Sequence, residues 1–171
     1  MSDMSSGTPQ RDVPGGARST SAGTAGRTPS ATELTPERRA RVTYEAFNAR
    51  DMDMLADQYT EDCELLSEPS GERFTGRDGV KRYLQRWITA FPDGMVTVTN
   101  VVPAGNTVVI EFRGRGTQTG TLDMPAGRIA PTGRTAEVPF CEVLEFANGR
   151  IARQRSYYDA ATMARQLGLG G

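Results

Sequence analysis

The sequence predicts an α+β fold in which helices pack on one face of a curved antiparallel sheet. Three observations predict it. Apolar residues recur at helical spacing through much of 36–91, in segments such as Val42, Ala46 and Ala49. From Met95 to Tyr158 the period changes to two, as in half-buried strands. The links between those strands are short or rich in turn residues, so the strands run as a meander.

Each element follows in order. Residues 1–34 are mostly Ser, Thr, Gly, Ala and Pro, a composition that buries too little apolar surface to offset ordering. They are expected to form a disordered tail, with one domain over 35–171. Thr35 followed by Pro36 is a helix start, and a helix is predicted over 36–50. Asp51 caps a second, short helix over 52–59, where Met52 and Met54 are expected to pack. Cys63–Leu66 reads as a short strand. Arg77–Phe91 is an amphipathic helix carrying Tyr83, Trp87 and Phe91 on its apolar side, ended by Pro92. Met95–Val102 and Thr107–Thr117 read as strands joined by a turn at Pro103-Ala104-Gly105-Asn106. Residues 121–133 hold Pro125, Pro131, Gly127 and Gly133 and read as a long irregular loop. Arg134–Phe146 and Arg150–Tyr158 are strands joined by the hairpin signal Asn148-Gly149. Asp159 caps a last helix over 160–167, closed by Gly168.

Composition narrows the function. The net charge is −1, without the basic surplus of a nucleic-acid binder. No apolar run reaches the roughly 18 residues of a membrane span. The first thirty residues carry no secretory pattern, so the expectation is a cytoplasmic protein in which Cys63 and Cys141 are free thiols. With no histidine in the chain and two isolated cysteines, no zinc site is expected.

Period-two sorting places Val108, Ile110, Phe112, Gly114, Gly116 and Gln118 on one strand face, the core face. Gly114 and Gly116 leave space there, and Gln118 is the polar group at its end. Phe140, Glu142, Leu144 and Phe146 also share a face. Glu142 is therefore a carboxylate in an apolar row, which raises proton affinity and is a signature of a general acid or base. Pairing with an arginine, or a solvated face, are the structural alternatives. On the last strand Gln154, Ser156 and Tyr158 share a face, and parity alone does not say which way it points. Tyr44 and Asn48, four apart on the first helix, face either a cavity mouth or solvent. Trp87 is a core residue that also suits a pocket wall. Arg113, Arg115, Arg153 and Arg155 alternate on one sheet face, either paired with Glu111 and Glu145 or forming a dimer contact.

The runs "AFPDGMV" (90–96), "GTQTG" (116–120), "PTGRTAEVP" (131–139), "FANGRI" (146–151) and "YYDAATMARQLG" (157–168) occur in an order that resembles the SnoaL-like ester and polyketide cyclases of the nuclear transport factor two-like superfamily. The resemblance covers about 35–171. It implies a cone of helices wrapped by a curved sheet around a deep pocket, in a homodimer. It implies metal- and cofactor-free ring closure on a polyketide-like substrate, with a carboxylate moving the proton. Relatives often read "GTHTG" where this chain has Gln118. Many also carry a His-Trp-Asp run where it has Gln154-Arg155-Ser156. Glu142 stands where relatives often have an aspartate.

The resemblance thus implies Glu142 as the acid/base, with Gln118, Gln154, Ser156, Tyr158, Trp87 and Tyr44 binding a hydrophobic small molecule. The epoxide hydrolases of the superfamily need charged and polar groups at positions where this chain has Phe112, Gly114, Ser156, Leu65 and Ser67, so that chemistry is rejected. A ketosteroid isomerase arrangement needs a second acid, and none falls on the inner faces. Two functions are carried forward: a cyclase-type enzyme, and a non-catalytic binding protein on the same fold.

Overall fold

The computed structural model describes residues 34–169. The tail expected over 1–34 lies outside the described residues apart from Leu34. Helix α1 (Pro36–Ala49) starts where Thr35 accepts a hydrogen bond from the Arg38 amide at 3.2 Å. It ends as Arg50 turns into the left-handed region, φ 61°. Helix α2 (Met52–Ala56) is capped by Asp51. It stops short of the expected 59 because strand β1 (Tyr59–Ser67) begins there, five residues longer than the predicted strand. Met54 is exposed, at 41%, rather than packed.

Strand β2 (Glu72–Thr75), not foreseen, pairs with β1 and leads into helix α3 (Gly76–Ala90). Strands β3 (Met95–Ala104) and β4 (Thr107–Thr117) form a long hairpin, so Pro103 and Ala104 belong to the strand rather than the turn. A register shift between Val98 and Asn100 bends this pair. The expected irregular loop contains a small hairpin of β5 (Leu122–Met124) and β6 (Gly127–Ile129). Strands β7 (Thr135–Ala147) and β8 (Arg150–Tyr158) follow, then helix α4 (Ala160–Leu167), capped by Asp159 and Gly168 as expected.

The main sheet has the order β2-β1-β8-β7-β4-β3. It is mixed, which corrects the all-antiparallel expectation: β8 lies between β1 and β7 and runs parallel to β1. Hairpin rules read only neighbours in sequence, and β1 and β8 stand at opposite ends of the domain. The fold class is the α+β arrangement expected, with α1 and α3 against the inner sheet face. Ala40, Leu55, Val80, Ile110 and Leu144 form the core there. A second cluster around Phe91, Leu122, Met163 and Leu167 sits where α4 and the β5–β6 segment meet the sheet.

The outer face carries the alternating charges. Arg153 and Arg155 approach Glu145, as expected. Arg113 and Arg115 instead approach Glu137, while Glu111 accepts from Asn100. All are exposed pairs of small energetic weight.

The end of α1 organises one rim of the inner cavity. The Asn48 side chain donates to the Val96 carbonyl and accepts from the Val96 amide, both at 2.8 Å. It thus supplies β3 with the pairing that an adjoining strand would. Arg50 donates to the Pro92 and Gly94 carbonyls and fixes the turn after α3.

Candidate active site

Between the helices and the inner sheet face lies a cavity of about 820 Å³ of empty space, its open mouth included. Its walls are mainly apolar and aromatic, with Phe47, Trp87, Phe91, Phe112 and Phe140 prominent. The Phe112 and Phe140 rings stack at 4.9 Å with an interplanar angle of 7°. That composition suits a flat organic molecule. Arg115 is a charged residue at the wall; the other is Glu142.

Glu142 is buried, 5% exposed, on β7. Three neutral donors hold its carboxylate. The Tyr44 hydroxyl from α1 and the Gln154 Nε2 from β8 donate to Oε2, the latter at 2.8 Å. The Ser156 hydroxyl, directly across the β7–β8 pair, donates to Oε1 at 2.8 Å. No cation lies within ion-pair distance among the described residues. This settles the alternatives raised by the sequence: the face is not solvated and Glu142 has no arginine partner. Burial pushes its proton affinity above the ordinary carboxylate value, and the three donors pull it partly back.

Register explains how β8 brings its two donors inward. A shift between Glu145 and Phe146 inserts an extra residue in β8, so Ile151 and Gln154 both face the core despite their odd separation. Two further tyrosines back the donors. The Tyr59 hydroxyl donates to Gln154 Oε1 at 2.5 Å, and the Tyr83 hydroxyl to Ser156 Oγ at 3.4 Å. Burial raises the proton affinity of Tyr44, Tyr59 and Tyr83 further above the ordinary phenol value, so all three stay neutral donors.

Of the residues singled out from the sequence, Glu142, Gln154, Tyr44 and Trp87 line the cavity. Ser156 reaches it only through Glu142. Tyr158 stands behind the wall, its ring against Trp87 at 5.5 Å and Phe140 at 5.0 Å. Its hydroxyl is enclosed without a hydrogen-bond partner among the described residues.

Gln118 is elsewhere, and the expectation that it marks the pocket is corrected. Its amide spans the chain between β4 and β7: Nε2 donates to the Gly120 and Ala130 carbonyls, and Oε1 accepts from the Thr132 amide and hydroxyl. Every polar atom is spent on holding that segment. Nor are the glycines simply floor space. A Cβ on Gly120 would lie 1.9 Å from the Thr89 carbonyl oxygen, so this glycine lets the segment touch the end of α3. A Cβ on Gly116 would lie 2.8 Å from Gly94.

Tyr59 was missed because a helix was read through it. The β-forming Tyr59-Thr60 pair before Cys63 was the available signal. Tyr83, Trp87 and Phe91, expected to pack with one of them at the pocket wall, all line the cavity. Among the described residues no cluster of His, Cys, Asp or Glu side chains has the makings of a metal site.

Comparison with known proteins places this geometry. A family model described as SnoaL-like polyketide cyclase matches residues 37–167. A solved structure from Jannaschia sp. CCS1, described as a SnoaL-like polyketide cyclase, is similar with a TM-score of 0.71 at 20% identity, covering 85% of this chain and 99% of that one. IdmH from Streptomyces antibioticus, assigned as a polyketide cyclase, is similar with a TM-score of 0.67 at 26% identity, covering 79% and 99%. A protein from Catenulispora acidiphila DSM 44928 with a ketosteroid isomerase-like fold gives 0.65 at 23% identity, covering 80% and 95%. No curated protein matches the chain. The family match spans most of the domain in which Glu142 and its donors lie, and the chain belongs to the SnoaL-like polyketide cyclase family.

Proposed function

We propose that the cavity is an active site in which Glu142 moves a proton on an enolisable, largely apolar, polyketide-like carbonyl compound. The observation that carries this reading is a buried carboxylate at the polar end of an aromatic cavity, held by neutral donors alone. A carboxylate offers about four lone-pair sites, and three are occupied. The remaining one is available to take a proton from an acidic carbon between carbonyls. Gln154 uses one of its two N–H bonds on Glu142; the second is free to hold the enolate oxygen as charge develops. The Tyr83 side chain lies on the same wall, its hydroxyl proton directed to Ser156 Oγ at 3.4 Å. Ring closure follows as the enolate carbon attacks a second carbonyl of the same molecule, and the resulting alkoxide takes a proton back from Glu142. The aromatic walls fold the chain and keep water from the enolate.

The test is Glu142→Gln, assayed with aromatic β-dicarbonyl compounds. Turnover should fall by about 100-fold or more, while ligand affinity stays within a few-fold. Unchanged turnover would remove Glu142 from the chemistry. A non-catalytic binding protein is the second reading. It is favoured by the extent to which the carboxylate is already satisfied, and by Gln154 and Ser156 where relatives often carry titratable groups. It predicts tight binding with no turnover in either form. The same family reading makes the exposed sheet face around Tyr157 and the paired arginines a dimer contact, which sedimentation velocity tests.

A further inference from the structure

We propose that Tyr59 is a positioning residue: its hydroxyl fixes the Gln154 side-chain amide so that the NH2 group, not the carbonyl oxygen, meets Glu142. This rests on reading Glu142 as the acid/base, but its test needs no turnover.

An amide side chain has two nearly isosteric faces, one that donates and one that accepts. Gln154 touches two buried partners at once, Tyr59 at 2.5 Å through Oε1 and Glu142 at 2.8 Å through Nε2. In the observed orientation both contacts are a donor against an acceptor. Turned over, Nε2 would face the Tyr59 hydroxyl and Oε1 would face Glu142. Two acceptors would then meet, unless Glu142 carried a proton to donate. The flipped amide therefore suits the acid form, and the observed amide suits the carboxylate. Tyr59 is 2% exposed, and its hydroxyl has Gln154 as its hydrogen-bond partner in the described residues. By donating to Oε1 it holds the amide in the orientation that favours the carboxylate and hastens return of the proton.

The other groups around Glu142 do not supply that bias. Tyr44 from α1 and Ser156 from β8 are hydroxyls that rotate to suit either state. Ile110 and Phe112 from β4 are apolar. Tyr83 from α3 reaches Ser156 at 3.4 Å, a longer contact to a group with no two faces to choose between. Cys63 lies near Tyr59 on β1, and Cys141 is the neighbour of Glu142 in β7; burial raises the proton affinity of both thiols.

The experiment is a carbon-13 titration of Glu142 in labelled protein, in the wild type, Tyr59→Phe, Gln154→Leu and the double variant. Tyr59→Phe keeps the ring and should move the Glu142 midpoint upward. In the Gln154→Leu background the same substitution should move nothing, since no amide remains to be oriented. No shift from Tyr59→Phe, a downward shift, or equal shifts in both backgrounds would overturn the proposal. Should Tyr59→Phe fold poorly, the wild-type Gln154 side-chain NH2 resonances decide. They should change environment as Glu142 gains its proton, and their indifference would overturn the proposal as well. Retained turnover in Glu142→Gln together with the expected midpoint shifts would sink the acid/base reading and leave the positioning role standing.

Discussion

Glu142 and Ser156 are direct cross-strand partners on β7 and β8, and the serine hydroxyl donates to Oε1 at 2.8 Å. The contact ties the proton affinity of the carboxylate to the register of two strands. Ser156→Ala removes a donor that favours the charged form, so the Glu142 midpoint should rise. Carbon-13 titration measures it directly. A stability loss of about 1–3 kcal/mol is expected alongside, because Oε1 loses its partner in a buried place.

The same carboxylate makes stability depend on pH. Its folded proton affinity is raised above the ordinary value of 4.5. Below that pH both folded and unfolded chains carry the proton, and the contribution is complete. It is lost as pH rises through the folded midpoint, where the fold must accommodate a buried charge. Melting temperatures of the wild type minus those of Glu142→Gln should therefore fall as pH rises above about 4.5. A difference that grows with pH would contradict the direction of the shift.

Gln118→Ala should cost about 3 kcal/mol, as two carbonyls and the Thr132 donors lose their partner. Because Gln118 does not line the cavity, ligand affinity in the folded variant should stay close to the wild type. Urea melts and limited proteolysis within 121–131 check the first part, and equilibrium binding the second.

Gly120→Ala should be among the most damaging single substitutions, at about 3 kcal/mol or more. Its Cβ would meet backbone rather than a movable side chain. Gly114→Ala is different: its Cβ would sit 3.1 Å from the Phe140 ring, which can tilt. That variant should fold, with weaker binding of flat aromatic ligands because the ring moves into the cavity. Calorimetric binding of such a ligand decides it.

Most of the fold was legible in the chain because its signals are local. Thr35, Asp51 and Asp159 announced their helices, and Thr107–Thr117 and Arg150–Tyr158 kept their expected bounds to the residue. What escaped depends on distant partners. The parallel β1–β8 pair joins segments from the two ends of the domain, and β2 is a strand chiefly because β1 is there to receive it. The site followed the same rule. Glu142 was conspicuous as a carboxylate in an apolar row, and Gln154 shared its fate through the neighbouring strand. Gln118 was misplaced because strand parity carries it inward but cannot show that the following residues turn back to occupy its amide. Tyr59 depended on a bulge in β1 between Tyr59 and Glu64 that no periodicity foretells.

The shell of tyrosines around the cavity has a consequence for kinetics. With no imidazole in the chain and Tyr44, Tyr59 and Tyr83 held above the ordinary phenol range, Glu142 is the one carboxyl among the residues lining the cavity, and burial moves its proton affinity upward. The rate profile of such a site is a single sigmoid that climbs to a plateau, in place of the bell drawn by a separate acid and base. The molecule would then work as a one-proton device, with the same carboxyl oxygen collecting the proton and giving it back.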